Sequence, residues 1–116
     1  MGQVDDRRFP ATELQHFAAS AFVAAGLAEP DARVMADSLV QSDLRGTHSH
    51  GIVRLPFLIE RLRKGGANAA PDIRVLKDAP ATALLDGDRA LGAITAARSR
   101  DLAVTKARSQ GIGFVA

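Results

Sequence analysis

Arg45, His48, Ser49, His50 and Arg54 crowd into one short stretch, broken by Gly46 and Gly51. Side chains of these types support three chemistries. His48 and His50 offer two imidazoles to a metal, but the shell is incomplete: His16 lies far away in the sequence and the chain has no cysteine, so a carboxylate would have to finish it. Ser49 beside a histidine suggests a nucleophile. Nothing here resembles Gly-x-Ser-x-Gly, however, and adjacent residues rarely hold hydroxyl and imidazole in a productive line. The third chemistry is proton transfer. Histidine changes charge at about pH 6.5, so it gives or takes a proton under physiological conditions. Arg54 and Arg45 can offer a guanidinium fork to a substrate carboxylate, and Ser49 a hydrogen bond to a substrate oxygen. Gly46 and Gly51 permit close approaches that a Cβ forbids. Against this stands a plain alternative, a turn whose histidines face water and whose Ser49 caps the following helix. Residue types alone leave both open.

Three helices have to position that stretch. Leu14, Phe17, Ala18, Ala21, Phe22 and Ala25 recur at three- and four-residue steps, which predicts a helix over about 11–25 that stops at Gly26. Thr12 and Glu13 supply polarity at its start. A second helix begins near Pro30, since proline suits a first helical turn, and Ala32, Met35, Ala36, Leu39, Val40 and Asp43 carry its stripe to the edge of the loop. Leu55, Leu58, Ile59 and Leu62 share the face of a third helix, with Pro56 in its first turn and Gly65-Gly66 at its end.

Beyond Gly66 the pattern changes. Ile73–Leu76 and Thr82–Leu85 read as short strands, and Asp86-Gly87 as a turn. A long helix is predicted over about 91–110, with Ala93, Ala96, Ala97, Ala103, Val104 and Ala107 as its small-residue face. Gly111 to Ala116 reads as a helix stop followed by a buried strand. The expected class is mixed α/β: an N-terminal layer of three helices (1–66, with the Ser-His-Gly loop), then the first strands and a long helix of an incomplete α/β domain (67–116). A buried strand as the last element gives the chain a truncated look. Asp86-Gly87-Asp88 lacks the ligand spacing of a calcium loop. Gly111-x-Gly113 follows a helix where a dinucleotide fingerprint would precede one.

Composition sets outer limits. With 116 residues, 47% hydrophobic and 24% charged, the chain fits one modest soluble domain. Its net charge is +2 and its pI 9.7. The densest basic group, Arg54, Arg61, Arg63 and Lys64, includes Glu60 and falls at a predicted helix C-terminus, where cations are favoured. Without Trp or Tyr to stack on bases, nucleic acid is not an expected partner. The absence of cysteine rules out disulfides and thiolate catalysis. Residues 1–8 have no apolar signal core, position 6 is aspartate where the myristoylation pattern wants serine or threonine, and no apolar run is long enough to span a bilayer. A cytoplasmic protein without membrane attachment is expected.

One resemblance runs through nearly the whole chain. Ala36-Asp37-Ser38-Leu39-Val40, Asp43-Leu44-Arg45-Gly46 and Ser49-His50-Gly51-x-x-Arg54-Leu55 resemble the N-terminal region of the malate/L-lactate dehydrogenase-like oxidoreductases. That family includes sulfolactate, ureidoglycolate and diketogulonate enzymes and is distinct from the Rossmann-type lactate dehydrogenases. The likeness continues through Lys64-Gly65, Pro80-Ala81-Thr82-Ala83, Asp86-Gly87-Asp88, Leu91-Gly92, and on to Gly111-Ile112-Gly113-Phe114-Val115-Ala116. It implies reduction or oxidation of small 2-oxo, 2-hydroxy or imino acids with NAD or NADP. It makes His50 the candidate acid/base, with Ser49 beside it in the substrate pocket and Arg54 the candidate carboxylate ligand. Arg45 and Gly46 then shape the loop, and His48 falls at a variable position of the motif. It also implies a homodimer with active sites near the subunit interface. A second histidine motif, a lysine and the nicotinamide-binding segments of that family have no counterpart here, so no cofactor-binding residue is assigned. No metal is expected.

The expected function is therefore the N-terminal part of an NAD(P)-dependent oxidoreductase that interconverts small 2-oxo and 2-hydroxy acids. The competing class is a non-catalytic helical interaction module, or an inactive truncated product.

Overall fold

The computed structural model describes residues 5–116, and its elements follow the sequence order closely. Helix α1 spans Ala11–Ala24, α2 Glu29–Leu44 and α3 Leu55–Arg63; strands β1 (Arg74–Asp78) and β2 (Thr82–Asp86) precede α4 (Gly92–Gln110) and β3 (Phe114–Val115). Two short 3-10 turns, His48–His50 and Ile52–Arg54, lie between α2 and α3. No helix among the described residues is long and apolar enough to cross a membrane.

Helices α1 and α2 pack through small side chains. Ala18 and Phe22 meet a surface that includes Ala32, Met35, Ala36 and Leu39, all buried. Alanine brings the backbones close, and the fully buried Phe22 fills the space that remains, worth about 1.5–3 kcal/mol by area. Leu55 and Leu62 of α3 and Leu91 and Ile94 at the start of α4 complete the same core. The second helix matches its predicted stripe well. The first does not: Phe17 is 64% exposed, so the inward face is narrower than the apolar spacing suggests. In α4 the inward residues are Ile94 and Lys106, while Val104 of the predicted face is exposed.

The sheet has order β1-β2-β3. β1 and β2 are antiparallel, with an irregularity in register between Val75 and Lys77; β2 and β3 are parallel, Thr82 opposite Phe114 and Ala83 opposite Val115. Helix α4 is therefore the crossover of a β-α-β unit. Lys106 is buried and ties that helix to the sheet, its Nζ donating to the Asp78 carboxylate and to the Ala79 carbonyl at 2.7 Å. The expectation of a buried final strand is corrected: β3 lies at the sheet edge and Phe114 is 65% exposed.

The turn expected at Asp86-Gly87 falls one step later. The Ala90 N–H donates to the Gly87 carbonyl, and Asp88 and Arg89 between them have φ of 47° and 57°. Non-glycine residues hold such angles only where neighbours over-determine them. Here Asn68 Nδ2 and the Asp72 N–H both donate to Asp88 Oδ2, and an Arg89 guanidinium N–H donates to the Gly65 carbonyl.

Gly113 allows β3 to lie against α4, because a Cβ at this position would overlap the Ala103 carbonyl oxygen. Backbone cannot move aside as a flexible side chain can. Gly113→Ala is expected to cost about 1–3 kcal/mol. Urea unfolding would show this as a lower midpoint, with faster amide exchange at Phe114 to Ala116 and none at the α1–α2 contact.

Candidate active site

The stretch from Asp43 to Phe57 begins where α2 ends. After Leu44 the chain reverses: the Gly46 N–H donates to the Asp43 carbonyl and the Thr47 N–H to the Ser42 carbonyl at 2.8 Å, with Gly46 at φ 80°. The first 3-10 turn then carries His48, Ser49 and His50, all exposed. Gly51 is buried, and the second turn brings Arg54 out just before Leu55 enters the core.

Ser49 does not cap α3, which corrects that part of the plain alternative; its other part, histidines facing water, matches the exposed His48 and His50. The residue before that helix is Arg54, no side chain caps it, and the second 3-10 turn separates it from Ser49. Instead Ser49 Oγ lies 3.1 Å from His50 Nδ1. The guanidinium carbon of Arg54 lies over the Phe57 ring, 5.3 Å from its centre. The ring face attracts the cation, and among the described residues no side-chain hydrogen bond occupies the guanidinium N–H groups, which a bidentate carboxylate could take. Among the described residues Arg54 makes no ion pair.

Two residues enter the site that sequence reasoning gave no role there. Asp43, in the last turn of α2, accepts from His48 Nδ1 at 2.9 Å and from the Ile52 N–H at 2.8 Å. Phe57 is the platform under Arg54. The signal for Phe57 was its i+3 spacing from Arg54, and for Asp43 it was an acid at a helix end that disfavours anions. His16 stays with the α1–α2 cleft, alongside Gln15, Ser20 and Asp37. Neither that cleft nor the groove between α2 and α4 is lined by Ser49, His50 or Arg54. The candidate residues lie on open surface.

Chemically, this surface offers an imidazole with a hydroxyl beside it and a guanidinium with free edges, which together suit a small anion that gains or loses a proton. The malate/L-lactate dehydrogenase family matches residues 9–116. The chain belongs to that family. It is 42% identical to the malate dehydrogenase of Pyrococcus horikoshii across 98% of its own length and 32% of that enzyme's. The solved structure of that malate dehydrogenase superposes with a TM-score of 0.92, covering 99% of this chain and 34% of that one. The L-sulfolactate dehydrogenase of Methanocaldococcus jannaschii is 45% identical over 78% of the chain and 26% of its own length. The NAD(+) ureidoglycolate dehydrogenase of Escherichia coli K12 is 38% identical over the same 78%, and again 26% of its own length. This family member thus spans about a third of the length of the curated relatives it matches, at their N-terminal end.

At the junction from β2 to α4 the Asp86 carboxylate accepts from the Asp88 N–H, and the Asp88 carboxylate from Asn68 Nδ2 and the Asp72 N–H, so neither is assigned to a dinucleotide. No residue of this chain is assigned to a nicotinamide.

Proposed function

We propose that this chain supplies the proton-transfer and carboxylate-binding side of an NAD(P)-dependent oxidoreductase that interconverts small 2-oxo and 2-hydroxy acids. One observation carries the reading: the chain matches a dehydrogenase family over residues 9–116, and its Ser49-His50-Gly51-x-x-Arg54 run is exposed on a braced turn. His50 gives a proton to the substrate oxygen as a ketone is reduced and takes it back in the reverse direction. Ser49, beside His50, hydrogen-bonds the same oxygen. Arg54, stacked on Phe57, grips the carboxylate through two parallel N–H donors. The relatives are named for oxidations of hydroxy acids, and one of them for NAD(+). A nicotinamide held outside these residues is therefore the proposed hydride carrier.

The proposal concerns a polypeptide of the relatives' length in which this chain is the N-terminal part, working as a homodimer. Its test is NADH and NADPH oxidation by that full-length form against a panel of small 2-oxo acids, including oxaloacetate and pyruvate. Turnover is expected with at least one acid and one cofactor. A panel silent with both cofactors, from a folded protein, contradicts the reading and favours the interaction module.

A further inference from the structure

The site has a brace that the proposed chemistry does not itself use. Asp43 stands in the last turn of α2, where free carbonyls make an anion unfavourable unless it finds donors. It finds two, one on each side of the Ser49–His50 turn: the His48 ring before it and the Ile52 N–H after it, at 2.9 and 2.8 Å. Gly51 packs onto the same carboxylate so closely that a Cβ there would overlap it. The other bonds of the turn are local, His50 N–H to the Thr47 carbonyl and Gly51 N–H to the His48 carbonyl. Among the described residues the only side-chain hydrogen bond of Ser49 or His50 is the one between them, so the grip of Asp43 sets their place.

We propose that Asp43 is the positioning residue of the Ser49–His50 turn, gripping it through His48 and the Ile52 N–H and holding the neutral His48 ring in the form protonated on Nδ1. A carboxylate accepts and does not donate, so the ring nitrogen facing it carries the proton. The bond made by one ring nitrogen decides the state of the other, and Nε2 of His48 is left as an acceptor. In this proposal His48 serves as the link through which Asp43 holds the turn. The inference rests on the proposed function in one respect, that Ser49 and His50 meet the substrate.

The test uses the 116-residue chain with 15N-labelled histidine, at a pH where the imidazoles are neutral. Two-bond proton–nitrogen spectra report the tautomer of His48, and hydrogen exchange reports the Ile52 amide. The wild type is expected to show His48 protonated on Nδ1 and a protected Ile52 amide. Asp43→Ala is expected to return the ring to the Nε2–H form and speed Ile52 exchange about tenfold or more, while α1 amides stay protected. If Asp43→Ala fails to fold, Asp43→Asn decides. Asparagine presents one acceptor, so it keeps one bond: either the ring flips or the Ile52 amide loses protection. A wild-type His48 in the Nε2–H form, or both readouts unchanged in a folded variant, overturns the proposal. None of these readouts needs turnover. A full-length form inactive on every 2-oxo acid would sink the proposed function and leave the Asp43 assignment to the spectra.

Discussion

His50→Ala in the full-length form is expected to lower kcat by roughly 10²- to 10⁴-fold, the range a positioned acid/base contributes. The melting temperature should hold, because His50 is exposed and, among the described residues, its side chain hydrogen-bonds Ser49 Oγ alone, at 3.1 Å. Surface changes without core or cap contacts usually stay within about 0.5 kcal/mol. Under the proposed roles the loss belongs in kcat, because the proton would move in the transition state while the substrate carboxylate would still meet Arg54. Steady-state kinetics with a calorimetric scan of the same preparation separates this outcome from a damaged fold.

The second large effect falls on Arg54. Arg54→Ala is expected to raise KM about 10²-fold, from the loss of a bidentate, charge-assisted pair. Arg54→Lys keeps the charge but loses both the planar fork and the stack on Phe57, and should recover about a tenth of that loss at most. Substrate-saturation curves check both variants. A lysine variant with wild-type KM would mean that charge alone is being read and that the Phe57 platform has no part in binding.

Much of this was written in the chain itself. The stripe Ala32, Met35, Ala36, Leu39, Val40 is buried as its spacing demands, and Pro30 and Pro56 stand in the first turns of α2 and α3. Local spacing fails where the answer depends on what lies opposite. Phe17 and Val104 continue apolar faces yet remain exposed, because their neighbours in space do not cover them.

The site divides in the same way. Ser49, His50 and Arg54 are proposed from the sequence because their types and order resemble a family pattern. Asp43 is not, since its partners at positions 48 and 52 follow neither a helical nor a strand period. The turn at Asp88 and Arg89 was misplaced for a related reason. Glycine marks a turn in sequence, but here long-range bonds from Asn68, Asp72 and Gly65 hold two ordinary residues at positive φ instead.

The central claim is that His50 moves the proton and Arg54 holds the carboxylate. It is tested most directly by steady-state kinetics of wild type, His50→Ala and Arg54→Ala on one 2-oxo acid, run side by side. The account predicts that the damage divides, falling on kcat for His50 and on KM for Arg54. Wild-type kcat and KM in both variants, from an enzyme that turns over, would contradict it.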